Sequence, residues 1–125
     1  MQTKVESVKG LEHLYYKGKE IIYSDYRGME DDEVVAVATD IVAYLLKLNR
    51  PTLQLTNIEG VFFTPKVLTA LTTLAPKVEH LIVKDAVIGI KGAKRILFQT
   101  YNAIIQGNAK AFDDEEAAKD WLVEE

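Results

Sequence analysis

The chain has 125 residues, 48% of them hydrophobic, a formal net charge of -4 and a pI near 5.2. That length suits one compact domain with its own core, and the acid excess disfavours general nucleic-acid binding, which depends on cations that neutralise phosphates. The absence of cysteine excludes disulfides, thiolate metal sites and thiol catalysis.

The opening residues MQTKVESVKG are too polar for a signal peptide, and no apolar run nears the roughly 18 residues of a membrane span. The expectation is a single domain over residues 1–125, cytoplasmic and without a transmembrane segment. After a weak strand signal around Val5, Leu14-Tyr15-Tyr16, a turn at Lys17-Gly18-Lys19 and Glu20 to Tyr26 read as a hairpin. Aromatic and β-branched residues suit a pleated surface, and the glycine suits the turn. The acids Glu30, Asp31, Asp32 and Glu33 then introduce Val34, Val37, Ala38, Ile41, Leu45 and Leu48, which recur on one helical face. Acids in a first turn complement the helix dipole. Val35, Val42 and Leu46 widen the apolar stripe and predict cover on more than one side, and Asn49-Arg50-Pro51 ends the helix.

Thr52 to Thr56 reads as a short strand, and Pro65 to Leu74 as a helix with Val67, Leu68, Leu71 and Leu74 inward. His80 to Val83 is a further strand. Ala93, Ile96, Leu97, Tyr101 and Ile104 mark another helical face, stopped at Gly107-Asn108. Ala109 to Phe112 predicts a short strand. Asp113 is placed as N-cap of the closing helix with Glu116 at N3, and Ala117, Ala118, Trp121 and Leu122 form its buried side. The order ββ-α-β-α-β-α-β-α implies an α/β fold: a mixed sheet with an antiparallel N-terminal hairpin followed by β-α crossovers, helices packed on the sheet.

This order resembles the SpoIIAA-like proteins of the STAS/Sec14-like group, the fold of bacterial anti-sigma-factor antagonists. The residues that carry the resemblance are Ile21 to Gly28, the turn Asn57-Ile58-Glu59-Gly60, and Lys110 to Ala117 before Trp121-Leu122. The resemblance implies a regulatory, non-enzymatic module with protein partners. In the antagonists a strand and short turn lead to an Asp-Ser-Ser-Gly-type helix start whose serine is phosphorylated. Here Pro65, Lys66 and Val67 stand where that acid, serine and glycine would sit, a departure from the pattern, with Thr64 just upstream. Thr64 before Pro65 makes a preferred helix cap. A phosphate on Thr64 would face the positive helix end and Lys66.

Each remaining candidate site has a structural alternative. The acids Asp25 and Glu30 to Glu33 could hold a hard cation, but successive acids at a helix start diverge, and no metal or other cofactor is expected. His13 and His80 fall on separate predicted strands without zinc-pair spacing, and Phe62 and Phe63 read as core and rim packing. Lys84, Lys91, Lys94 and Arg95 flank Asp85 to Ile90 and could receive an anion near a helix start, or form a solvated basic face. Phe98 and Ile105 lie off the inward face of that helix and suggest a second contact surface, with packing on the N-terminal strand as the alternative.

The leading reading is a binding module acting on a protein partner, on itself as a homodimer, or on an anionic small ligand through Asp85 to Ile105. The resemblance adds a rival in which a lipid or other hydrophobic ligand is enclosed. An enzyme would need acids such as Asp25 or Asp40 to converge with a histidine or tyrosine, which no linear spacing requests.

Overall fold

The computed structural model describes residues 8–92 and 109–124. The strand signal around Val5 and the helical face from Ala93 to Ile104 lie outside these residues. Strands β1 (Leu11–Tyr16) and β2 (Lys19–Asp25) form the hairpin, followed by helix α1 (Asp31–Leu48), β3 (Thr52–Asn57), helix α2 (Pro65–Val78), a short 3-10 turn (Glu79–Leu81), β4 (Ile82–Ile88), β5 (Ala109–Phe112) and helix α3 (Glu115–Val123). The five strands stand in sequence order; β1 and β2 are antiparallel, and β2 to β5 are parallel. The hairpin closes through Lys17 and Gly18, both at positive φ (50° and 84°), which matches the right-handed twist of the flanking strands.

Successive residues of each strand face opposite sides. On one side Ile21, Tyr23, Leu55, Ala86 and Ile88 meet Ala118 and Leu122 of α3. On the other, Val87 and Ile58 join Val34, Val37, Ala38, Ile41 and Leu45 of α1 and Val67 and Val78 of α2. Leu46 departs from the expected cover: its turn of α1 faces away from the sheet, leaving it 44% exposed. Asn49 stops α1 by turning left-handed (φ 49°), with its N–H bonded to Leu45 O at 2.9 Å.

Boundaries of α2, β4 and α3 differ from the expected ones. Helix α2 runs through Pro76 to Val78, because burial of Val78 against the core outweighs the donor that proline lacks in the last turn. His80 belongs to the 3-10 turn, so β4 starts at Ile82 and continues to Ile88, which puts Asp85 inside a strand. The N-cap of α3 is Asp114, not Asp113: its carboxylate accepts from Ala117 N at 2.9 Å, so Glu116 falls at N2 and the reciprocal capping box is lost. At the end of β4, Gly89 (φ 92°) lies against the β3 exit loop; a Cβ there would sit 2.4 Å from Glu59 N.

Candidate functional site

The layer between the sheet and α1/α2 is not completely filled. A cavity of about 210 Å³ is walled by Val34, Ala38, Ile41 and Leu45 of α1 and by Val67, Leu68, Leu71 and Leu74 of α2. Its floor is the sheet, and there the composition changes: Ser24 of β2, Gln54 and Thr56 of β3 and Asp85 of β4 all line it. The parallel register places them side by side, with Ile22, Gln54 and Asp85 in one row and Ser24, Thr56 and Val87 in the next. A parallel sheet covered on both faces normally reads as nearly continuous aliphatic strands, so four polar residues on the covered face are anomalous.

The floor is only partly satisfied. Thr56 Oγ1 donates to Asp85 Oδ1 at 3.0 Å. The Thr52 hydroxyl donates to Leu81 O at 2.9 Å, so its oxygen accepts from Gln54 Nε2, also at 2.9 Å. That pairing fixes the orientation of the Gln54 amide and leaves its Oε1 without a donor among the described residues. Ser24, only 3% exposed, has no side-chain hydrogen bond to any described residue. Asp85 Oδ2 is likewise unpaired among them. Leaving a buried polar atom unpaired costs about 1–3 kcal/mol, and such atoms cluster where something else completes them.

Asp85 keeps some accessible surface because it borders the cavity, yet it sits deep in the fold. Burial pushes its carboxyl up to about 7, against the opposing hydrogen bond from Thr56. Burial, together with the nearby Asp85 charge, also raises the Tyr26 phenol. Among the described lining residues there is no lysine, arginine or histidine, and Glu79 is the other acid.

The residues singled out from sequence lie elsewhere. Thr64 caps α2: its Oγ1 accepts from Val67 N at 3.2 Å and stands 3.4 Å from Asp31 Oδ2. Lys66 pairs with Asp32, Lys9 with Glu33, and Asp25 holds Arg27 through two oxygens at 2.9 and 2.8 Å. The acidic run is thereby distributed among separate partners, and no group of three or more metal-ligating side chains forms among the described residues. Lys84 projects to the α3 side of the sheet, where Nζ donates to Trp121 O at 2.7 Å and Glu124 O at 2.9 Å. Lys91 is exposed at a second cleft, shared with Glu59, Asp113 and Glu115. Lys94, Arg95, Phe98 and Ile105 lie outside the described residues. His13 bridges Glu20 and Tyr44, at 2.6 Å each, apart from the cavity.

No protein-family model matches the chain, and no curated protein matches it by sequence. Solved structures do match. An uncharacterized protein of the DUF3478 family with a SpoIIAA-like fold, from Shewanella loihica PV-4, superimposes with a TM-score of 0.66 over 98% of each chain at 15% identity. The fold is SpoIIAA-like. An anti-sigma-factor antagonist (STAS) domain protein from Planctomyces limnophilus matches with a TM-score of 0.61 at 13% identity, over 91% of this chain and 98% of that one. The SpoIIAA-like order accounts for the cavity's position, since α1 and α2 connect successive parallel strands and share one face of the sheet. No described helix is long and apolar enough to cross a membrane.

Proposed function

We propose that this chain is a non-enzymatic binding module of SpoIIAA-like fold that admits a small, mostly apolar ligand between its sheet and the α1/α2 layer. The observation that carries the reading is the cavity itself: aliphatic walls from two helices over a floor with polar atoms that have no partner among the described residues. Ligand sites take this form, with apolar lining for affinity and a few placed polar groups for orientation. At about 30 Å³ per water-sized group, the space suits on the order of seven to ten heavy atoms, well short of a phospholipid. Asp85 has one hydroxyl partner and no imidazole beside it among the described residues, so no nucleophile, base and orienter are assembled there.

Titration with 2-phenylethanol, followed through the methyl NMR signals of Val34, Ile41 and Leu71, tests this reading. Saturable shifts confined to those walls are expected, and they should disappear in Leu71→Trp, whose indole fills the space. Shifts that are absent, or unchanged in that variant, refute the reading.

A further inference from the structure

We propose that the cavity selects a small primary ammonium compound with an apolar body, with Asp85 as its counter-ion and Gln54 Oε1 and Ser24 Oγ as its further hydrogen-bond acceptors. The inference rests on the ligand-binding reading above and adds the chemistry of the ligand's polar end.

The argument starts from which atoms on the floor are already used. The Gln54 amide donates through Nε2 to Thr52, because the Thr52 hydroxyl is itself committed to Leu81 O. The Thr56 hydroxyl donates to Asp85 Oδ1. What remains open among the described residues is therefore dominated by acceptors: Asp85 Oδ2, Gln54 Oε1 and the Ser24 oxygen, which come from three adjacent strands. An alkylammonium presents three donors and no acceptor. A carboxylate or phosphate ligand would meet Asp85 and Glu79 without a described cation to offset them.

Burial of Ser24 strengthens the case. At 3% exposure its hydroxyl lines the cavity with no described partner, although an alanine would pack there without an unpaired group. Asp85 itself is a carboxyl deep in the fold with a hydroxyl as its sole described hydrogen-bond partner. An incoming ammonium supplies the missing opposite charge, which favours the ionised acid.

Binding is therefore coupled to loss of the Asp85 proton. The titratable groups facing it are Tyr26 beyond β2 and Glu79 after α2; the described lining from α1 and β5 contributes none. Ammonium affinity rises about tenfold per pH unit below the Asp85 midpoint and levels off above it.

Calorimetric titration of the full chain with 2-phenylethylammonium, 2-phenylethanol and phenylacetate at pH 8 tests the inference. The ammonium should bind at least tenfold more tightly than the alcohol, and the carboxylate more weakly than either. Asp85→Asn keeps the shape of the floor and should equalise ammonium and alcohol, while Ser24→Ala should reduce ammonium affinity severalfold. Alcohol binding equal to ammonium binding in the wild type, or an ammonium preference that survives in Asp85→Asn, overturns the inference and leaves the ligand-binding reading standing. If none of the three compounds binds, both fail.

Discussion

The two faces of the sheet are built to different ends. On the α3 side, Ile21, Leu55, Ala86, Ala118 and Leu122 are essentially inaccessible, and polar groups at the margin are tied off. Tyr16 donates to Asp120 at 2.6 Å, Lys84 closes on the carbonyls at the end of α3, and Phe112 packs on Trp121 with ring centroids 5.4 Å apart. On the α1/α2 side the same strands present Ser24, Gln54, Thr56 and Asp85 to aliphatic helices around an open volume. The closed face supplies stability, whereas the other carries polar atoms that have no partner among the described residues and so cost stability.

The largest effect should come from the closed face. Leu122→Ala removes a side chain that is 1% exposed, and urea denaturation should show a loss of about 2–5 kcal/mol. Next comes Asp85. Its carboxyl holds its proton in the folded chain up to about pH 7, while the unfolded chain releases it near the ordinary value of 3.8. The unfolded state thus binds fewer protons between these values, and stability falls as pH rises through that window, by roughly 1–4 kcal/mol. Asp85→Asn should flatten that slope and be the more stable protein above pH 7, as measured by urea midpoints across pH; an unchanged slope would mean that Asp85 is not the group responsible.

Thr64 gives a smaller effect. Thr64→Ala deletes the cap on Val67 N and should cost about 1 kcal/mol. Thr64→Glu should cost at least as much, since Asp31 Oδ2 lies 3.4 Å from the hydroxyl and repels an added negative charge. The smallest shift belongs to Ser24→Ala, which loses no described hydrogen bond and should leave the melting temperature unchanged or slightly raised.

The described helices and the hairpin are legible because their signals are local. Gly18 marks a turn that needs positive φ, the spacing of Val34, Val37, Ala38, Ile41 and Leu45 marks a buried face, and Thr64-Pro65 marks a helix start. The α3 cap was displaced by one residue because Asp113 and Asp114 offer the same chemistry, and backbone geometry chooses between them. The candidate site is not legible because the apolar run His80 to Val83 ends before Asp85, so the sequence pattern places Asp85 in a connecting segment among basic residues although β4 continues to Ile88. A signal did exist: Gln54 and Thr56 alternate with Leu53 and Leu55, and Asp85 lies between Val83 and Val87, in strands that a parallel sheet should bury on both faces.

Periodicity, turn chemistry and capping are properties of neighbours along the chain, and they make the hairpin, the three described helices and their order readable from sequence, whereas the SpoIIAA-like architecture came from the resemblance. Which polar side chains face a cavity, which donors are already spent and which acid lacks a cation depend on the register between strands separated by whole helices. Those relations arise only when β2, β3 and β4 align, so tertiary structure alone placed Ser24, Gln54, Thr56 and Asp85 on one floor.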